Sequence, residues 1–149
     1  MRWLVLVVVA CSSKSEKVEN KPDDMNEKMR HCPVAIDGAS ATLTDVDGGV
    51  QFEVKAPADK VAEVQRRAHH VVEFAAKRHD KSTHQVSDKQ GGGTMRNCPV
   101  VTSDTTIAVD DLPDGARIHV TGTDVQELRA ESRRRVEKFT FVGATIVVK

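Results

Sequence analysis

Met29-Arg30-His31-Cys32-Pro33-Val34 returns 66 positions later as Met95-Arg96-Asn97-Cys98-Pro99-Val100, with five identities in six. The same offset, without a gap, lays Val46 on Leu112, Gly49 on Gly115, Phe52 on Ile118 and Val54 on Val120. After a contraction of two residues, Val61-Ala62-Glu63-Val64 falls on Val125-Gln126-Glu127-Leu128, and Val72-Glu73 on Val136-Glu137. A register held this long marks an internal duplication, and the repeated unit is the first thing the architecture must accommodate.

Each unit reads as two strands and a helix. Val50, Phe52, Val54 and Ala56 alternate with Gln51, Glu53 and Lys55, the period-two pattern of a half-buried strand. A preceding strand around Ala39 to Val46 reaches it through Asp47-Gly48-Gly49, a step that supplies the positive φ tight hairpins require. The second unit repeats this with Thr106 to Asp111, the turn Pro113-Asp114-Gly115, and Ala116, Ile118 and Val120 facing inward. Asp59 stands as N-cap before a stripe of Val61, Val64, Ala68, Val71, Val72 and Ala75. Asp124 is its counterpart, ahead of Val125, Leu128, Ser132, Val136 and Phe139.

An isolated hairpin is marginal, and one amphipathic helix cannot rescue it alone. The expected fold is therefore α+β: two ββα repeats forming an antiparallel sheet with both helices on one face. Phe141 to Val148, with Val142, Ala144, Ile146 and Val148 on one side, adds a C-terminal strand with no partner in the first unit. The organisation expected is residues 29–76 for the first unit, a polar connector over 77–94 ending in three glycines, and 95–149 for the second.

Ahead of the repeats stands an apolar run from Leu4 to Ala10, far shorter than the roughly 20 residues a spanning helix needs. One basic residue, a short apolar stretch and a small residue before the break read as an export signal over residues 1–10. Val8-Val9-Ala10-Cys11 resembles the lipobox of bacterial lipoproteins. That resemblance implies cleavage before Cys11, acylation of its thiol by diacylglycerol and palmitate-type chains, and, with Ser12 following, residence on the periplasmic face of the outer membrane. Residues 11–28, polar and charged, suit a solvated tether.

Composition removes several function classes. Lys plus Arg and Asp plus Glu are each 22, so the chain lacks the basic excess of a general nucleic-acid binder. Five aromatic residues and no Tyr leave little for base stacking. There is no G-x-S-x-G, Walker A loop, dinucleotide glycine fingerprint or H-E-x-x-H, and the chain reads as non-enzymatic. Asp45, Asp47, Asp110, Asp111 and Asp114 crowd the hairpin ends, where turns alone account for them.

Chemistry concentrates at the starts of the units. Met29 and Cys32 recur as Met95 and Cys98, with His31 added in one copy and Met25 one turn upstream if that stretch is helical. Thioether and thiolate ligands select Cu(I), and Cys with His also suits zinc, so copper or zinc could sit on Cys32, Cys98, His31, Met29 and Met95. Alternatively, with Cys11 lipidated, two cysteines remain in an oxidising compartment at equivalent places, which is the arithmetic of a Cys32–Cys98 disulfide. Free thiols are the third option. His69 and His70 become Arg133 and Arg134 in the second copy, and they, His119 and Arg133 to Arg135 read as solvated surface; His79 returns towards the apolar stripe if the helix runs that far, and His84 belongs to the connector.

The lipobox, followed by Asp45–Val54 (DVDGGVQFEV), Asp59–His79 and their echoes at Leu112–Val120 and Asp124–Phe139, resembles small predicted lipoproteins of myxobacteria and their relatives. Such proteins carry valine-rich hairpins with an Asp-Gly turn, Arg- and His-rich helices and His/Met/Cys-bearing connectors around His-Cys-Pro. The resemblance implies an envelope protein anchored by its N-terminal lipid, with metal handling suggested by those connectors; the alternative is a scaffold or interaction module that presents a sheet or helix face to another envelope protein. This chain keeps His31-Cys32-Pro33, His69, His70, His79 and His84 but has only Met95 as connector thioether, and it ends in Phe141 to Lys149 rather than a Cys-Met tail.

Overall fold

A computed structural model of the protein describes residues 29–79 and 98–149. The expected signal, Cys11, the tether, Met25, His84 and Met95 lie outside them. Two hairpins and two helices form: β1 Ser40–Val46, β2 Gly49–Lys55, α1 Val61–His79, β3 Thr105–Leu112, β4 Gly115–Gly122 and α2 Val125–Glu137, followed by β5 Thr145–Val148. The first helix thus runs past residue 76, the boundary expected for its unit.

The strands make one five-stranded sheet in the order β3-β4-β2-β1-β5. Val50, Phe52 and Val54 of β2 and Ala116, Ile118 and Val120 of β4 are all fully buried beneath the helices, while Gln51, Glu53, Arg117 and His119 occupy the opposite, half-exposed face. The α+β fold with both helices on one face is as the repeat predicts. The sheet is mixed rather than wholly antiparallel, because β5 runs parallel to β1. The C-terminal strand therefore does have a partner in the first unit. It is also shorter than expected, since Phe141 to Ala144 form no strand and Val142 is 91% exposed.

The two units meet through β2 and β4, antiparallel, with Gly49 opposite Thr121 and Lys55 opposite Gly115. In that ladder Phe52 faces Ile118, its own repeat equivalent, so a pseudo-twofold axis passes between them. Gly49 and Gly115, also equivalents, are required by the close approach of these strands. A Cβ on Gly49 would stand 2.0 Å from Val120 O, and one on Gly115 would stand 1.8 Å from Val54 O. The hairpin turns themselves differ. Gly48 takes φ +74° in the first, whereas Pro113-Asp114 closes the second with no positive φ.

The helices are exchanged between the units. α1 lies chiefly over β3 and β4, and α2 over β2 and β4. Gln65 Nε2 donates to Leu112 O (2.9 Å) and Gly115 O (3.2 Å) at the second hairpin; Arg129 donates to Val46 O (2.8 Å) and Gly49 O (3.4 Å) at the first. Beside these, His69 Nε2 meets Asp111 (3.0 Å) and Arg133 meets Asp45 (2.8 Å). All six contacts follow the register read from sequence, and each crosses from one unit to the other. The histidine and arginine positions read as solvated surface thus hold the opposite hairpin, and His119, bonded to Asp110 at 3.2 Å, is only partly exposed.

Helix starts behave as their residues dictate. Asp124 caps α2 by accepting the Glu127 N–H at 2.9 Å. α1 follows a turn in which Lys60 N–H bonds to Pro57 O at 2.8 Å. Val64, Ala68, Val71 and Ala75 of its stripe are buried; α2, shorter and more polar, buries Leu128 and Ser132.

Candidate functional site

The segments that open the units, 29–39 and 98–104, lie against the helices, reached by Arg67 of α1 and Arg135 of α2. Tight turns hold the first one: Cys32 N–H bonds to Met29 O at 2.8 Å and Ala35 N–H to Cys32 O at 3.2 Å. This winding turns both cysteines inward. Cys32 Sγ and Cys98 Sγ lie 2.7 Å apart, each completely buried, and they are repeat equivalents on the same pseudo-twofold axis as Phe52 and Ile118. The gap is longer than the ~2.05 Å of a formed bond and shorter than an ordinary contact between two sulfurs.

The environment separates the two thiols. Burial pushes the Cys98 thiol well up, and the neighbouring Cys32 sulfur pushes it further. Burial opposes ionisation of Cys32 as well, but the sulfur contact, the amides of Val34 and Ala35 and the Arg67 guanidinium together hold it below an ordinary thiol.

Each cysteine's backbone is gripped by an arginine from its own unit's helix. Arg67 Nη1 donates to Ala35 O (2.9 Å) and Cys32 O (3.3 Å), and its Nε to Glu63 (2.6 Å). Arg135 Nη1 donates to Cys98 O (3.4 Å) and its Nε to Glu131 (2.8 Å). Arg66 makes a forked contact with Glu63, and this with Arg67 lowers the carboxyl to about 2. Arg135 lowers Glu131 in the same direction. Arg133 to Arg135 are thus engaged rather than simply solvated, with Arg134 2.7 Å from Glu131.

This grip breaks the helix register by one turn. The hairpin contacts relate Gln65 to Arg129, an offset of 64, whereas the clamps relate Glu63 and Arg67 to Glu131 and Arg135, an offset of 68. Its signal was present in the sequence as Glu63-Val64-Gln65-Arg66-Arg67 and Glu131-Ser132-Arg133-Arg134-Arg135, but an alignment tied to the helix starts passes over it.

Among the described candidate metal ligands, Cys32 and Cys98 meet each other. Met29 is fully buried in the apolar core. His31 stacks on His70 instead, ring centroids 4.4 Å apart and planes tilted by 33°, with its Nε2 accepting from Arg30 Nε at 3.2 Å. Burial, then the positive charge of His70 and of Arg30, Arg66 and Arg67, lowers its pKa. Among the described residues no three His, Cys, Asp or Glu side chains gather as a ligand set. Two thiolates on a tetrahedral zinc, with Zn–S near 2.3 Å, stand about 3.7 Å apart, so the observed 2.7 Å leaves no place for a metal between them.

No helix among the described residues is long and apolar enough to cross a membrane. Comparison with family models, curated proteins and solved structures returns no match, so the site is read from its own residues.

Proposed function

We propose that this chain is a non-catalytic, lipid-anchored protein of the bacterial cell envelope, of the small lipoprotein kind it resembles. Its folded part is an interaction module locked by a Cys32–Cys98 disulfide. The observation that carries the module's redox state is the 2.7 Å separation of two buried, symmetry-related sulfurs. Forming the bond takes two protons and two electrons from the thiols, which an envelope oxidant (a disulfide-bearing oxidoreductase or dioxygen) accepts. The anchor rests on Val8-Val9-Ala10-Cys11 and the polar tether after it. With lipid at one end and a closed domain at the other, the protein presents a fixed surface to a neighbouring envelope protein.

Two measurements test this. Alkylation of the denatured, unreduced chain should leave Cys32 and Cys98 unmodified, with their peptides joined by mass; modification of both overturns the lock. Detergent-phase partition of the full chain should vanish in Cys11→Ala; equal partition of the two proteins overturns the anchor.

A further inference from the structure

The pseudo-twofold axis exposes one asymmetry. On the first unit, the segment Phe141–Val148 runs beside residues 35–43. Gly38 N–H donates to Gly143 O at 2.7 Å, Ala39 O accepts from Thr145 N–H at 3.0 Å, and Leu43 O accepts from Lys149 N–H at 2.9 Å. β5 thereby extends the sheet parallel to β1, while Phe141 sits against a hollow formed with Ala35, Asp37, Glu63 and Arg67. The second unit has the same parts. Val101, Ser103, Glu131 and Arg135 are the equivalents of Ala35, Asp37, Glu63 and Arg67, and with Thr123 and Leu128 they line a cavity of about 300 Å³. The strand beside it, β3, ends the sheet, and among the described residues no strand lies on its outer side.

The receiving backbone is set in the same shape on both sides. Gly38, which donates to the β5 lead-in, has φ +77°; its equivalent Asp104 has φ +55°, the one positive φ at a non-glycine residue among those described. An aspartate held in that region signals a backbone that the surroundings impose. By the same equivalence Ile107 and Val109 stand where Ala41 and Leu43 turn their peptide groups to β5. Charge then selects the visitor. Asp104, Asp124 and Glu127 line the cavity rim, and Asp110 and Asp111, bonded to His119 and His69, continue along β3; the cavity's one arginine, Arg135, is itself paired with Glu131.

We propose that the outer edge of β3 and this cavity form a docking groove for an extended, positively charged segment of another envelope protein. The segment adds a strand parallel to β3 and lays an aromatic side chain against the cavity wall, as β5 and Phe141 do on the first unit. Main-chain pairing supplies the affinity, and the aromatic contact and acidic rim supply selectivity. This deepens and rests on the interaction reading above by naming its surface.

The probe is a synthetic, fluorophore-tagged peptide copying residues 139–149 (FTFVGATIVVK), added to the purified full chain and followed by anisotropy. Saturable binding is expected. Two variants should weaken it roughly tenfold or more: Val109→Pro, which removes an edge N–H, and Phe→Asp at the peptide's position 141. Thr123→Trp fills the cavity from an exposed position and serves if Val109→Pro fails to fold. No saturable binding by the folded chain, or binding that neither substitution in the chain alters, overturns the groove. Concentration-dependent dimerisation abolished by Val109→Pro would make the occupant a second copy and overturn its assignment to another protein. The alkylation and partition results do not involve this edge, so a failure here is distinct from a failure of the anchored, disulfide-locked module.

Discussion

Phe52 and Ile118 are partners twice over: they face each other across the β2–β4 ladder, and they are the same position in the two halves of the duplication. In an antiparallel ladder only one pair can satisfy both conditions, and that pair marks the axis. Cys32 and Cys98 lie on it too. The two contacts anchor the core from its two sides, one in the sheet and one in the segments that open the units.

Phe52→Ala removes the largest fully buried side chain on that axis and should cost about 3–5 kcal/mol, read from urea unfolding. Ile118→Ala should cost about 2–5 kcal/mol. Because the side chains touch, the double variant should depart from additivity by more than about 0.5 kcal/mol.

Oxidation of Cys32 and Cys98 joins residues 66 apart, and in the chain-entropy model this adds about 4 kcal/mol. Reductant should therefore lower the urea midpoint of the wild type and leave that of Cys32→Ser unchanged. A wild-type midpoint indifferent to reductant would remove the crosslink from the account.

Gly49→Ala and Gly115→Ala each drive a methyl into the backbone of the opposite unit and should destabilise by about 1–3 kcal/mol. Gly122→Ala is the contrast: its Cβ would meet Leu128 Cδ2 at 3.4 Å, an ordinary contact, and the midpoint should move less.

Glu63 holds its proton more weakly in the folded protein, at about 2, than the ordinary 4.5 of the unfolded chain. Protonation therefore favours unfolding. The stability Glu63 contributes is full above pH 4.5 and is lost as pH falls through the window down to about 2. Glu63→Gln should flatten the wild-type decline in urea midpoint across that window. A parallel decline in both proteins would show that the Arg66 and Arg67 contacts do not stabilise the fold.

Asp104→Gly relieves an unfavourable φ and should raise stability by a few tenths to about 1 kcal/mol, whereas Asp104→Ala should lower it. Thermal unfolding of the two variants beside wild type gives opposite signs if the backbone at Asp104 is held as Gly38 is.

The hairpins and helices were legible because alternation in Val50 to Ala56 and the spacing of Val64, Ala68, Val71 and Ala75 are local patterns that burial enforces. That Cys32 could meet Cys98 followed from their equivalent positions, with disulfide, metal ligation and free thiols left open. What hid from the sequence is partner choice across the chain. His69 and Arg133 look like a solvated face because their aspartates, Asp111 and Asp45, belong to the other unit. β5 could not be assigned to β1 because a parallel pairing with the first strand of the fold leaves no turn to read. His31, adjacent to Cys32 in sequence, belongs to a stack with His70 because neighbouring side chains in a tight turn diverge.

The exchange of helices makes the domain, in symmetry terms, an isologous dimer of ββα protomers written as one polypeptide. Each half's helix bonds to the other half's hairpin, so severing the connector should yield two fragments that stay associated or unfold together. The connector's contribution is to raise the local concentration of each half for the other, converting a bimolecular assembly into an intramolecular one. Joined in this way, the halves need no longer be identical. One could keep a closed edge under β5 while the other retained an acidic, open one, a division of labour that two identical protomers could not hold.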